Sequence, residues 1–154
     1  MIIEIAKIPP EGKIFTGEEP HSILDVDDGA IRAESPIYYN LEAHTTSTNE
    51  LIVRGHLKGE FSLMCSRCGE LFRKTLLEPS FECVREVASA ADSVDLTGDI
   101  REAIILIFPN HTLCRPDCMG LCSQCGINLN TGKCSCRPPE DDRWGILNKL
   151  VKNI

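Results

Sequence analysis

No stretch of this 154-residue chain approaches the ~20 consecutive apolar residues that would cross a bilayer as a helix. The first residues, MIIEIAKIPPEGK, lack the basic n-region, the apolar h-region and the small-residue cleavage site of a signal peptide. A cytoplasmic protein with reduced thiols is therefore expected. No phosphate-binding glycine loop is present, and no Ser, His and acid set is marked by its local context. Acid pairs such as Asp27-Asp28 and Asp141-Asp142 read as turn and cap residues, not as catalytic carboxylates. There is no internal repeat apart from recurring cysteine pairs. A general excess of positive charge, the usual mark of a nucleic-acid binder, is also missing: the net charge is −7.

That charge is unevenly placed. Residues 1–50 carry −7, residues 51–85 carry +2, residues 86–110 carry −4 and residues 111–154 carry +2. The basic segments are those that hold the clustered cysteines. Thiolates bound to divalent ions keep a negative balance, so Arg67, Arg115, Lys133 and Arg137 have two readings. They neutralise sulfur charge, or they form a local patch for a polyanion.

Cysteine is what the chain has in quantity. Six of its nine cysteines fall within residues 114–136: Cys114, Cys118, Cys122, Cys125, Cys134 and Cys136. Cys65 and Cys68 form a further pair upstream. An odd count in Cys-x-x-Cys clusters favours metal over disulfides. In Cys65-x-x-Cys68-Gly69 and Cys122-x-x-Cys125-Gly126, the glycine lets the backbone turn and aim its N–H groups at the sulfurs. Two closed Cys₄ zinc sites are expected, structural because no position is left for water. An open metal position, as a zinc hydrolase needs, is not expected.

The partition into sites has two solutions. Cys122, Cys125, Cys134 and Cys136 can close one site through the short loop GINLNTGK. Cys65, Cys68, Cys114 and Cys118 then form the other. The rival set joins Cys114, Cys118, Cys122 and Cys125. The spacing Cys118-x3-Cys122-x2-Cys125 also matches an iron–sulfur cluster, but only 29 residues follow Cys125. Cys83, on a strand face, reads as core. His111, three residues before Cys114, is read as a loop residue in preference to a ligand.

Periodicity predicts an α+β protein: an antiparallel sheet or small open barrel with one covering helix, a cysteine-rich zinc-binding segment and a C-terminal helix. Residues 2–8 alternate as a strand. Residues 11–35 are acidic and irregular, with a short strand near Lys13–Thr16. Ile37–His44 and Leu51–Cys65 alternate cleanly, with a bend or bulge expected at Lys58-Gly59. Leu71–Leu77 and Phe81–Val87 read as one interrupted strand, placing CSRC at a hairpin tip. Residues 88–96 read as a loop. Thr97 is expected to cap an amphipathic helix to Phe108, which Pro109 stops. A last helix, Arg143–Lys152, follows Pro138-Pro139. The expected parts are residues 1–110, 111–137 and 138–154, in one compact domain.

CSRC, an acidic helix ending in Pro109, LC-x2-DC-x-GLC-x2-CG-x-NLN-x3-C-x-C and DDRWGILNKL, in that order, resemble the YceD-like family of large ribosomal RNA subunit accumulation proteins. The carrying residues include Cys65–Cys68, Asp95-Leu96, Glu102, Leu113–Cys118, Gly120–Cys122, Cys125-Gly126, Asn128–Asn130, Cys134, Cys136 and Asp142–Leu150, over roughly residues 50–152. Gly69 departs from the pattern, where an apolar residue is usual. The resemblance implies a non-enzymatic factor that supports large-subunit ribosomal RNA accumulation and ribosome assembly through precursor RNA. The RNA-contact candidates are Arg67, Arg73, Lys74, Arg115, Lys133, Arg137 and Arg143, with Trp144 for stacking. The alternative is an acidic adaptor that meets ribosomal proteins or assembly factors without touching RNA.

Overall fold

A computed structural model describes residues 1–26, 29–89 and 92–137. The Asp27-Asp28 turn, the caps Asp141 and Asp142 and the C-terminal helix, with Arg143 and Trp144, lie outside the described residues. Among the described residues, seven strands and one α-helix follow in chain order: β1 (Ile2–Glu4), β2 (Lys13–Glu19), β3 (Ile31–Ala33), β4 (Ile37–Thr45), β5 (Glu50–Met64), β6 (Leu71–Glu86), β7 (Ser93–Asp95) and α1 (Thr97–Leu106). The main sheet is antiparallel. β2 pairs β4, β4 pairs β5, and β5 pairs β6 along its other edge. β3 continues the line of β4, pairing Ile31–Ala33 with Phe61–Leu63 of β5. Among the described residues β2 and β6 do not pair, so the sheet is open.

The alternation in β5 survives its whole length because one face is core. Leu51, Val53, Leu57, Phe61 and Leu63 are all fully buried, while Arg54, Lys58 and Glu60 are exposed. β6 changes phase partway. Leu76 points inward at an even position, Phe81 and Cys83 at odd ones. The cause is a bulge. Leu57 pairs Glu78 but Gly55 pairs Phe81, so His56 faces both Pro79 and Ser80. Pro79 has no N–H to give the ladder, which is why the extra residue sits there. The Glu78 carboxylate accepts the Ser80 N–H at 2.9 Å. The irregularity therefore lies in β6 and not at Lys58-Gly59.

Other departures are local. The first strand ends at Glu4 and turns into a 3₁₀ helix over Ile5–Lys7. Residues 11–35 hold more order than their composition indicates: the full length of β2, a 3₁₀ turn at His21–Leu24, and β3. Within residues 88–96, β7 pairs β1. Thr97 is the first helical residue and not the cap, because Asp95 stands upstream with a better acceptor. Its Oδ1 takes the Thr97 N–H at 2.9 Å and the Thr97 hydroxyl at 2.6 Å. The helix lays Ile100 and Ile104 on the sheet with Ile3, Leu24, Ile37 and Leu41.

Cys83 belongs to this core, as its strand position predicts. Burial, with Asp99 beside it, pushes its thiol up to about 11. The native chain thus holds this proton after the unfolded chain, with a thiol near 9, has lost it. The Cys83 contribution to stability is complete below pH ~9 and is lost as pH rises toward ~11. Two results follow. Iodoacetamide at pH 7.5 leaves Cys83 unmodified in the native protein and reaches it only after unfolding. Between pH 9 and 11 the wild type loses stability more steeply than Cys83→Ala, as followed by urea denaturation.

Candidate metal centre

β5 and β6 carry the first cysteine pair out of the core at their shared tip. Gly69 donates its N–H to the Cys65 carbonyl at 2.9 Å, and Cys65 donates to Glu70 at 2.9 Å. The second pair repeats this turn: Gly126 donates to Cys122 at 2.9 Å and Cys122 to Ile127 at 2.8 Å. Both glycines are left-handed, with φ of 73° and 72°. Such a turn needs glycine for its backbone angles. That accounts for Gly69 where an apolar residue would be strained.

Residues 111–137 return to the hairpin tip. Ser66 donates its N–H to the Thr112 carbonyl at 2.8 Å, and the Thr112 hydroxyl donates to Met64. Arg67 donates to the Cys118 carbonyl at 2.9 Å and accepts the Leu121 N–H on its own carbonyl at 3.0 Å. This crossing brings eight sulfurs into two groups of four. Cys65, Cys68, Cys114 and Cys118 form one; Cys122, Cys125, Cys134 and Cys136 form the other. Within each, all sulfurs lie within 4.8 Å of one another. The rival set is overturned, since Cys114 and Cys118 part from Cys122 and Cys125. The iron–sulfur spacing is divided in the same way, with Cys118 in the first group. His111 is exposed and outside both.

The donor set fits a tetrahedral thiophilic ion. Zn–S bonds near ~2.3 Å give S···S edges of ~3.8 Å. Cys65–Cys118 and Cys68–Cys114 are both 3.8 Å apart. In the second group Cys125–Cys134 is 3.4 Å and Cys122–Cys134 is 3.3 Å. The first group is sheltered, with Cys65, Cys68 and Cys118 buried against Phe72 and Leu113. The second is open: Cys125 and Cys136 are exposed.

The electrostatics of both groups suit a cation. Backbone N–H groups of Cys114, Cys68 and Arg67 bring the Cys65 thiol down to about 6 despite its burial. Those of Cys125 and Gln124 do the same for Cys122, also to about 6. Their neighbours resist. Burial and the Cys118, Cys65 and Cys68 sulfurs push Cys114 up to about 12. The Cys136 N–H pulls Cys134 down, but the sulfurs of Cys122, Cys136 and Cys125 outweigh it and push Cys134 up to about 12. Four thiolates become stable together only around a positive ion.

Residues 82–151 match the family model described as Large ribosomal RNA subunit accumulation protein YceD. This stretch is similar to the YceD family. A Zea mays protein described as Large ribosomal RNA subunit accumulation protein YCED homolog 1, chloroplastic, is 33% identical over 82 residues, covering 53% of this chain and 26% of its own length. The Arabidopsis thaliana protein of the same description is 36% identical over 62 residues, 40% of this chain and 19% of its own. A Mycobacterium tuberculosis protein described as uncharacterized is 37% identical over 67 residues, 43% of this chain and 32% of its own. The chain spans about a fifth to a third of the length of these curated relatives. No solved structure matches it. The YceD match includes α1 and six of the clustered cysteines. It begins at Glu82, so Cys65 and Cys68 join the set through geometry.

The basic candidates divide into two kinds. Arg73, Lys74, Lys133 and Arg137 are exposed. Arg73 stands 3.9 Å from Glu34. Arg67 and Arg115 are also exposed but are spent on the fold: Arg67 on Cys118, and Arg115 on Asn130 at 2.8 Å and Asp117 at 3.5 Å. Sequence reasoning took Asn130 only as a turn residue and missed the role of Asn128. Asn128 donates to Glu70 at 3.0 Å, tying the second loop to the first hairpin. The sequence signal was the pair of asparagines two apart, the spacing at which one side chain closes a turn on the other's N–H.

Proposed function

We propose that this chain is a non-enzymatic factor in which two Zn²⁺ ions, held by Cys65, Cys68, Cys114, Cys118 and by Cys122, Cys125, Cys134, Cys136, fix a surface for large-subunit ribosomal RNA or its precursor. Zinc supplies cross-links here and no reaction centre, because each site has its full complement of sulfur. One observation carries the reading: a segment similar to the family described as Large ribosomal RNA subunit accumulation protein YceD holds one four-thiol set whole and supplies Cys114 and Cys118 to a second, which Cys65 and Cys68 complete. The sheet, the sulfur-rich segment and the C-terminal residues act as one unit in the cytoplasm. RNA contact is local, through exposed Arg73, Lys74, Lys133 and Arg137, since the acidic remainder opposes tight nonspecific binding.

The test is crosslinking of the tagged protein to RNA in growing cells, followed by sequencing. Enrichment of large-subunit ribosomal RNA at a defined position is expected. Replacing Arg73, Lys74, Lys133 and Arg137 together by glutamate should lower that recovery by roughly tenfold or more, because four phosphate contacts turn repulsive. Zinc content should stay at two ions, since none of the four is a ligand. Background RNA with ribosomal proteins recovered instead would favour the acidic adaptor. Adaptor binding would fail on reversing Glu18, Glu19 and Asp25.

A further inference from the structure

Asn130 lies in the loop between the two cysteine pairs of the second site, yet its side chain serves the first. Its Nδ2 stands 3.4 Å from Cys118 Sγ and donates to it. The amide is oriented by its other contacts. Its Oδ1 accepts the Met119 N–H at 2.9 Å and Arg115 Nη2 at 2.8 Å, so the oxygen must face those donors and the nitrogen must face the sulfur. Asn128 holds it from behind. Asn128 Oδ1 accepts Asn130 Nδ2 at 2.7 Å and the Asn130 N–H at 3.0 Å. The same loop is pinned at Leu129, whose N–H reaches the Gly120 carbonyl at 2.8 Å. Its ends are the turns that carry Cys122, Cys125 and Cys134.

We infer that Asn130 is a positioning residue that couples the two metal sites: ordering of the exposed second site sets the N–H···S hydrogen bond that steadies the metal in the buried first site. The inference rests on the metal reading above. Its physical basis is general. A hydrogen bond to a metal-bound thiolate draws off charge and fixes the ligand's direction, and outer partners of this kind change metal affinity by about 10–100-fold. Cys118 is the buried ligand on which this acts. Coupling follows because the donor's loop is short and closed by second-site ligands. An unclosed second site lets residues 127–132 move and withdraws the donor.

The decisive variant is Asn130→Asp. It keeps an acceptor for Met119 and Arg115 and removes the amide N–H groups that reach Cys118 and Asn128. Two bound ions are expected in the wild type by native mass spectrometry. With cadmium in place of zinc, ¹¹³Cd NMR should give two signals. In Asn130→Asp the first-site signal should shift, and loss of that ion to a competing chelator should accelerate about 10–100-fold. Cys136→Ser, which opens the second site without touching the first, should accelerate first-site loss in the same direction. Lys133→Ala, in the same loop region but without a part in this network, should leave it unchanged. A wild type that binds no metal overturns both this inference and the metal reading. Two bound ions with unchanged first-site signal and release in both Asn130→Asp and Cys136→Ser overturn the coupling alone.

Discussion

Cys118→Ser should release the first-site ion and unfold residues 111–137 from the hairpin tip. Cys118 is only 2% exposed, its sulfur sits 3.8 Å from Cys65, and it accepts the Asn130 donor. Losing it leaves three thiols around an ion with no replacement ligand at hand. Metal binding by structural sites supplies ~10–16 kcal/mol in small zinc-folded peptides. A domain's whole stability is ~5–15 kcal/mol. Loss of most of the first term is enough to detach a segment that otherwise rests on Leu113, Phe72 and a few backbone and side-chain hydrogen bonds. Cys136→Ser should do less directly, because Cys136 is exposed and holds only its own loop. Native mass spectrometry should show one ion lost in each variant. Amide exchange separates them: the N–H groups of Ser66, Gly69 and Leu121 should lose protection in Cys118→Ser. Unchanged protection at those three amides with the ion gone would show that the segment stands without metal.

Much of this was legible in the sequence, and the reasons are particular. β4 and β5 alternate cleanly because one face of each is buried and the other is not. The thiol partition was legible only as two solutions, and the crossing of residues 111–137 over the hairpin tip decides between them. β3 and β7 were not legible. Three residues of strand carry no period, and each is ordered by a partner distant in sequence: β3 by Leu63 and its neighbours, β7 by Ile2–Glu4. The bulge was misplaced because glycine weakens a strand anywhere, whereas the missing N–H of Pro79 disrupts this ladder at one point. Thr97 was misjudged because a residue that can cap does not do so when Asp95 accepts its N–H first. Asn130 was the most consequential loss. Its turn chemistry is local and readable, but its bond to Cys118 exists only once two loops have crossed.

Phe61→Ala should be among the most damaging single changes to the sheet, at about 3–5 kcal/mol. Phe61 is fully buried, and its ring meets Phe108 edge to face, with centroids 4.9 Å apart and planes at 80°. Phe108 follows α1, so this pair fastens the helix end to β5. The site cannot collapse easily around an alanine. Ile37 is held by its pairing with β2 and Leu63 by its pairing with β3 and β6, so the cavity persists and its cost adds to the lost transfer energy. In a chain of this size, 3–5 kcal/mol should lower the melting temperature by roughly 6–20 °C. Gly59→Ala tests the same packing in the opposite sense. A Cβ there would lie 2.8 Å from the Phe61 ring and 2.9 Å from Ile37, forcing one of them to move. The double variant should recover part of the loss, because truncating Phe61 makes room for the added methyl; strictly additive melting shifts would mean that the two positions do not share one cavity. The metal sites supply the contrast. Phe61 is four residues before Cys65, near the end of β5, yet the first-site sulfurs form a cluster of their own that meets the main core only through Phe72. Phe61→Ala should therefore keep both ions while melting early, whereas Cys118→Ser loses an ion while the sheet's core remains folded.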